Sequence, residues 1–248
     1  MGYVFDFNDA RAYEKWLSKP ANQKSTALEN RLMLEILNPS PGKTVLDIGC
    51  GTGASLMPLL NAGLRGTGLD PSPYMLDIAS RNLGARVDLH RGVAESLPFE
   101  DNTFDYACMN ITLEFVEDPA KAILEACRVA KNKIFLGVLN RYALKGVQLR
   151  VSGIFSRTVF NHARFYSVWE LKQKVRTLLD DVPIIWRTTC HLPNVSGKLA
   201  QKVEHSALLQ RCPFGMYTGM AATLVPRFIT TPLTLPYRTK QTTGELTS

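Results

Sequence analysis

Residues 44–53 read TVLDIGCGTG: a short apolar run carrying Asp47, then Gly49, Gly51 and Gly53 alternating with other residues. The apolar run is a buried strand. The glycines form a turn at its carboxyl end, where backbone N–H groups can approach a ligand and positive φ carries no Cβ penalty. Upstream, Ala27–Leu37 places Leu28, Leu32, Ile36 and Leu37 at helical spacing and stops at Asn38 and Pro39. Downstream, Ala54–Asn61 reads as a helix, Leu64–Leu69 as a second strand, Pro73–Asn82 as a helix with proline in its first turn, and Arg86–His90 as a third strand. Phe104–Asn110 is the fourth strand, Pro119–Ala130 a helix and Lys133–Leu139 the fifth strand. Strands alternating with helices over short connections predict a parallel sheet covered on both faces. That is a doubly wound α/β fold, whose ligand sits beyond the carboxyl ends of the strands.

After residue 140 the rhythm changes. Residues 141–169 carry five Lys and Arg and no acid. Val168–Leu179 then reads as a helix opened by a capping box, Ser167 with Glu170 three residues on. Val182–His191 and Gly215–Val225 read as two further strands, with a polar helical stretch around Lys198–Leu209 between them. The last residues, 229–248, are rich in Thr and Pro and read as an extended tail. The 248 residues are read as one domain: cap helices over 1–40, a ligand-binding core over 41–140, a basic insert over 141–169, final helices and strands over 170–228, and the tail.

Composition bounds the function. A 45% hydrophobic and 21% charged chain fits a soluble globular protein, and no apolar run approaches the roughly 20 residues of a membrane span. The amino terminus lacks the layout of a signal peptide, and Asp6 stands where myristoylation favours Ser or Thr. Five cysteines form no CxxC pair and no metal-like cluster, so reduced thiols and a cytoplasmic location are expected, with no metal. Residues 1–140 carry 14 Lys and Arg against 17 Asp and Glu, whereas residues 141–248 carry 15 against 5. The basic half points toward an anionic contact or, equally, a solubilising surface.

The glycine spacing separates cofactor classes. A nicotinamide dinucleotide site uses G-x-G-x-x-G with its pyrophosphate at the helix start. Here the spacing is G-x-G-x-G, and Asp47 stands two residues ahead of it. An acid facing that loop repels a pyrophosphate and suits a ligand bearing an ammonium and a sulfonium, as S-adenosylmethionine does. Asp70, at the end of the second strand, is placed to accept both hydroxyls of a ribose.

Four ordered segments carry a family resemblance: VLDIGCGTG, GLDPSPYML, the run from Arg91 to Lys131 that includes AESLPFEDNTFDYACMNITLEF, and FYSVWELKQKV. Together they resemble the class I S-adenosylmethionine-dependent methyltransferases, in the small-molecule branch that includes ubiquinone/menaquinone-type C-methyltransferases. FDFNDARAYEKWL resembles the amino-terminal helix of that family. The resemblance covers roughly residues 5–180. It implies a Rossmann-like seven-stranded sheet, mostly parallel with an antiparallel last strand, an amino-terminal helix and a lid insert after the fifth strand. It also implies S-adenosyl-L-methionine as cofactor and S-adenosyl-L-homocysteine as product.

By the same resemblance, Gly49, Cys50 and Gly51 pass under the methionine and ribose portions, and Asp47 addresses the amino group through water. Asp70 holds the ribose, with Pro71 and Met75 near the adenine. Ala94 and Glu95 occupy the turn that recognises the adenine amino group, although the family often carries an aspartate where this chain has Val93. Asn110 and Ile111 lie beside the reactive methyl. Simpler roles stand beside these: Glu95 as a helix-starting acid, Asn110 as a strand terminator and Cys50 as a small residue that fits.

The acceptor is read from the amino-terminal helix and the insert, which contribute Tyr13, Trp16, Phe155, His162 and Tyr166 as substrate residues, with Phe160, Phe165 and several cations nearby. Proton acceptors to weigh are Tyr13, Glu114, His162, Tyr166 and His191, and no catalytic base is assigned among them. The segment NITLEF follows the fourth strand in place of an Asn/Asp-Pro-Pro-aromatic turn, which argues against methylation of flipped nucleobases. The expected reaction is in-line methyl transfer to a small, partly apolar metabolite, either neutral or anionic. Rival readings are a tRNA-modifying enzyme using the basic half and a non-catalytic cofactor-binding module. The insert reads either as a lid or as a basic amphipathic element resting on an anionic membrane.

Overall fold

The computed structural model describes residues 2–143, 163–190 and 206–224. Helix α1 (Phe7–Leu17) starts at a capping box in which Asp6 accepts from the Asp9 amide and Asp9 accepts from the Asp6 amide. Helix α2 (Pro20–Leu37) opens with proline in its first turn and ends where Asn38 turns left-handed. Strand β1 (Thr44–Ile48) is followed by α3 (Leu56–Asn61), β2 (Arg65–Asp70), α4 (Pro73–Leu83) and β3 (Val87–Arg91). Then come β4 (Phe104–Asn110), α5 (Pro119–Val129), β5 (Ala130–Leu139), α6 (Val168–Leu179), β6 (Ile184–Thr189), the short α7 (Ala207–Gln210) and β7 (Tyr217–Thr223).

The seven strands form one sheet in the order β3-β2-β1-β4-β5-β7-β6. Strands β1 to β5 pair in parallel, and β7 runs antiparallel to both of its neighbours, β5 and β6. The order reverses between β1 and β4, where a doubly wound sheet leaves a crevice for a ligand. The expected sheet, with its antiparallel last strand, is the one the chain forms.

Side-chain alternation along the strands sorts the core onto the two faces. Leu46, Ile48, Ala107, Met109, Ile134 and Leu136 pack in one cluster with α5 and α6. Val45, Tyr106, Cys108, Phe135 and Tyr217 pack in another with Leu32, Met33, Ile36 and Leu37 of α2. The alternation puts Asp47 on the Val45 side, inside the protein rather than at its surface.

Helix α2 begins seven residues before the predicted Ala27. Its first turns bury Asn22, Ser25 and Glu29, polar residues that hide the helical period from a hydrophobicity reading. The last two strands, β6 and β7, are shorter than predicted, and the capping box of Ser167 and Glu170 forms as predicted. The helical stretch around Lys198–Leu209 is described only at Ala207–Gln210. The tail and residues 144–162 of the insert lie outside the described residues.

Two contacts bind the central strands to the carboxyl edge of the sheet. The Tyr217 hydroxyl donates to Asn110 Oδ1 at 2.6 Å, and the ring crosses β5 over Gly137 to do so. A methyl group on Gly137 would stand 1.9 Å from the Tyr217 oxygen and 2.6 Å from Asn110 Oδ1. Glu114, in the turn after β4, accepts the Leu139 N–H at 2.6 Å through Oε1. Its Oε2 is buried and meets no donor among the described residues.

Gly137→Ala is expected to lower unfolding free energy by about 1–3 kcal/mol through overpacking, read as a reduced urea midpoint at unchanged slope. Burial pushes the Glu114 carboxyl up from 4.5 to about 8, against the opposing pull of the Leu139 amide. A folded-state pKa above the unfolded one favours the neutral acid in the native protein. Its stabilising contribution is therefore complete below pH 4.5 and is lost as pH rises toward about 8. Glu114→Gln keeps the acceptor for Leu139 and cannot ionise, so denaturation midpoints measured across that window should fall less steeply than in the parent chain.

Candidate functional site

A cavity opens at the carboxyl ends of β1, β2 and β4, where the reversal of strand order puts it. Its floor is the turn after β1. Gly49 sits at φ 73°, and its amide donates to Leu69 O at 2.7 Å. A Cβ there would lie 2.5 Å from Thr112, whose hydroxyl donates to Ile48 O at 2.9 Å. The turn is thus wedged between the ends of β2 and β4, and only glycine fits the wedge. Gly51, at φ 53°, has no atom within 4 Å of a would-be Cβ, so this stretch of backbone faces open space.

Asp70 fixes that geometry. Its Oδ2 accepts the Gly51 amide and its Oδ1 the Ser72 amide, both at 2.9 Å. Burial pushes the carboxyl up from its ordinary range while the two amides pull it down. Asp47 lies beneath the turn and does not line the cavity itself. It is fully buried, with Oδ2 taking the Ser55 hydroxyl at 2.5 Å and Oδ1 meeting no donor among the described residues. Burial first, and the charge of Asp70 after it, push Asp47 up to about 7, with Ser55 opposing. Cys50 lines the cavity, but burial and the two carboxyls push its thiol well up, which removes it as a nucleophile and leaves it as a small wall residue.

Pro71 and Met75 line the cavity below the start of α4, where the Ser72 hydroxyl accepts the Met75 amide. Opposite them stand Ala94 and Glu95, in a turn closed by the Val93–Ser96 bridge. Glu95 Oε1 accepts the Glu117 and Asp118 amides at 2.8 and 3.3 Å, so that acid also anchors the loop entering α5. Asn110 and Ile111 reach the cavity from the end of β4. With Asn110 Oδ1 held by Tyr217, the Nδ2 group is the part of the amide left for a ligand. Ile111 has φ 55°, a costly conformation for a β-branched residue, held by the hydrogen bond its amide donates to Gly137 O.

Tyr13 and Trp16 of α1 form a stacked pair on the cavity wall, centroids 5.7 Å apart. Tyr166 does not reach the cavity: it is buried, and its hydroxyl donates to Leu113 O. Its neighbour Phe165 takes the lining position instead, because extended backbone sends successive side chains to opposite sides. Glu114 likewise sits outside the lining, turned toward β5. Phe155, His162 and His191 lie outside the described residues. Of the proton acceptors weighed from sequence, Tyr13 alone is described on the cavity wall.

Several wall residues had no motif to announce them. A strap of residues 2–5 crosses the mouth, tied by the Tyr3 amide to Phe115 O and by the Ser72 hydroxyl to Phe5 O. Phe115 packs edge-on against Phe5. Thr26, Glu29 and Asn30 of α2 also line the cavity. Their i, i+3, i+4 spacing is a polar stripe on a helix otherwise read by its leucines, and that stripe is the signal that could have found them.

The residues fit S-adenosylmethionine: a glycine turn with an open backbone face, a fixed carboxylate at the end of β2, and buried acceptors without donors among the described residues around the turn. No cluster able to hold a metal exists among the described residues.

Comparison with known proteins gives the same answer. A family model described as a methyltransferase domain matches residues 46–136. A Methanocaldococcus jannaschii protein of uncharacterised function is 32% identical over 177 residues, 71% of this chain and 80% of that one. A demethylmenaquinone methyltransferase of Renibacterium salmoninarum is 40% identical over 101 residues, 41% of this chain, and the match spans only 42% of that enzyme's length. Among solved structures, an S-adenosylmethionine-dependent methyltransferase of Thermotoga maritima superposes with a TM-score of 0.64 at 23% identity, over 88% of this chain and 99% of that one, a likeness of fold. By motif order, sheet topology and these matches, the chain belongs to the class I S-adenosylmethionine-dependent methyltransferases.

Proposed function

We propose that this chain transfers a methyl group from S-adenosylmethionine to a small, largely apolar acceptor. The observation that carries the reading is the glycine turn pinned open by Asp70 at the floor of a cavity walled by Trp16, Tyr13, Phe115 and Phe165. When bound, the cofactor supplies a methyl group already activated by its sulfonium. The chain's own work is then positioning and exclusion of water. Asp70 keeps lone pairs free for ribose hydroxyls beyond the hydrogen bonds it accepts from two backbone amides, and Met75 and Ala94 flank the place of the adenine. Asn110 presents its amide nitrogen, oriented by Tyr217, toward the reacting centre. The strap and the aromatic pair of α1 shut the mouth against solvent.

The wall supports this acceptor class. Its described charged residues are Glu29, Asp70 and Glu95, and no Lys, Arg or His stands among its described residues. That favours an uncharged acceptor over an anionic one and gives no foothold to a polyanion such as RNA. A quinone-like ring, the substrate named for the demethylmenaquinone methyltransferase, suits the aromatic walls. The five free cysteines agree with a cytoplasmic setting. No helix among the described residues is long and apolar enough to cross a membrane.

Thermal unfolding should rise with S-adenosylmethionine and stay unchanged with NAD, and release of S-adenosylhomocysteine should follow addition of a hydroxylated aromatic acceptor. Absence of any shift at saturating S-adenosylmethionine sinks the reading; a shift without turnover across an acceptor panel leaves a binding module. Asp70→Ala should weaken the cofactor by about 1.5–3 kcal/mol, the scale of hydrogen bonds to a charged group, measured by calorimetric titration.

A further inference from the structure

Helix α2 turns the side chains of Thr26, Glu29 and Asn30 to the cavity. Asn30 is the most informative of the three. Its Nδ2 donates to Ala54 O at 3.2 Å, which settles the orientation of the amide, since a flipped group would set two acceptors face to face. Oδ1 is therefore the atom presented on the other side. It is buried and accepts no hydrogen bond from any described residue. A buried acceptor left without a donor is destabilising, and native proteins keep few of them.

The surroundings say which donor is wanted. Asp47 Oδ1 and Thr52 Oγ1, flanking the same turn, are also buried without a described partner. Glu29, one residue before Asn30, brings a buried carboxyl to the wall. The described wall offers no Lys, Arg or His to answer Asn30 Oδ1, Asp47 Oδ1 and Thr52 Oγ1. A concentration of acceptors with no cation among the described wall residues is complementary to an ammonium, which carries three donors and one positive charge.

We propose that Asn30 Oδ1 accepts a hydrogen bond from the amino group of the cofactor's methionine portion, so that α2, and not only the glycine turn, recognises the amino-acid end of the ligand. The inference rests on the S-adenosylmethionine reading above.

Two ligands separate this role from a general effect on the fold. S-adenosylhomocysteine carries the amino-acid end, and 5′-methylthioadenosine lacks it while keeping the nucleoside. By calorimetric titration, Asn30→Leu should weaken S-adenosylhomocysteine about tenfold or more, the scale of a hydrogen bond to a charged group, and leave 5′-methylthioadenosine within about twofold. A deaminated analogue of S-adenosylhomocysteine provides the converse on the unaltered protein. Removing the ligand's amine should cost the parent chain a similar factor and cost Asn30→Leu almost nothing further, since the two changes break one contact.

Equal weakening of both ligands by Asn30→Leu overturns the proposal, as does unchanged affinity for S-adenosylhomocysteine. If Asn30→Leu does not fold, the parent chain decides alone: equal affinity with and without the ligand's amine overturns the proposal, and a loss of about tenfold supports it. Failure of the parent chain to bind either adenosine ligand would instead remove the cofactor reading on which the proposal stands.

Discussion

Asp70 is the constraint on which the rest of the site depends. One carboxyl receives the amide of Gly51 from the turn after β1 and the amide of Ser72 from the start of α4. Two segments that belong to different βα units are thereby locked to one strand end. The consequences spread outward. Ser72, held by its amide, uses its hydroxyl to cap α4 and to hold Phe5 O, so the amino-terminal strap inherits its position from Asp70. Tyr3 in the strap then reaches Phe115, in the turn after β4. Burial makes the carboxylate costly, and the two amides offset that cost, so the group works only with both partners in place.

The far wall is set by a different device. Asn110 and Gly137 are register partners on β4 and β5, and Tyr217 comes from β7 beyond them. The missing side chain at Gly137 lets the tyrosine lie across β5 and hold Asn110 from below. An antiparallel last strand thus does more than close the sheet: it delivers a buried hydroxyl to the residue at the strand switch. The left-handed backbone of Ile111, next in sequence, is held by the hydrogen bond its amide donates to Gly137 O on the same pair of strands.

The legible part of this molecule was the part with a local period or a local exception. β1 and β4 were read to the residue, because apolar runs between breakers have few alternative readings. The glycine turn and Asp70 were legible because their spacing is a backbone requirement. What escaped was tertiary. Helix α2 started early because its buried residues are polar, and burial of polar groups is decided by partners that a single sequence does not display. Tyr166 and Phe165 exchanged places because a one-residue shift in an extended segment swaps faces, and no composition rule fixes that parity. The strap of residues 2–5 owes its place to Phe115 and Ser72, more than sixty residues away in sequence.

Charge is distributed in the opposite sense to what the whole-chain balance suggests. The excess of Lys and Arg falls in residues 141–248, yet the described cavity wall holds three acids and no cation. A site for a cationic ligand in a basic protein needs its acceptors buried, where solvent does not screen them and the distant positive charges act weakly. Asp47, Asn30 and Thr52 meet that requirement by keeping an acceptor atom out of solvent with no described donor. Such a site is less stable alone than when its ligand supplies the missing donors, so binding and folding stability rise together. On the reading proposed above, the unsatisfied acceptors near β1 are not defects of packing but the part of the fold that a cationic ligand completes.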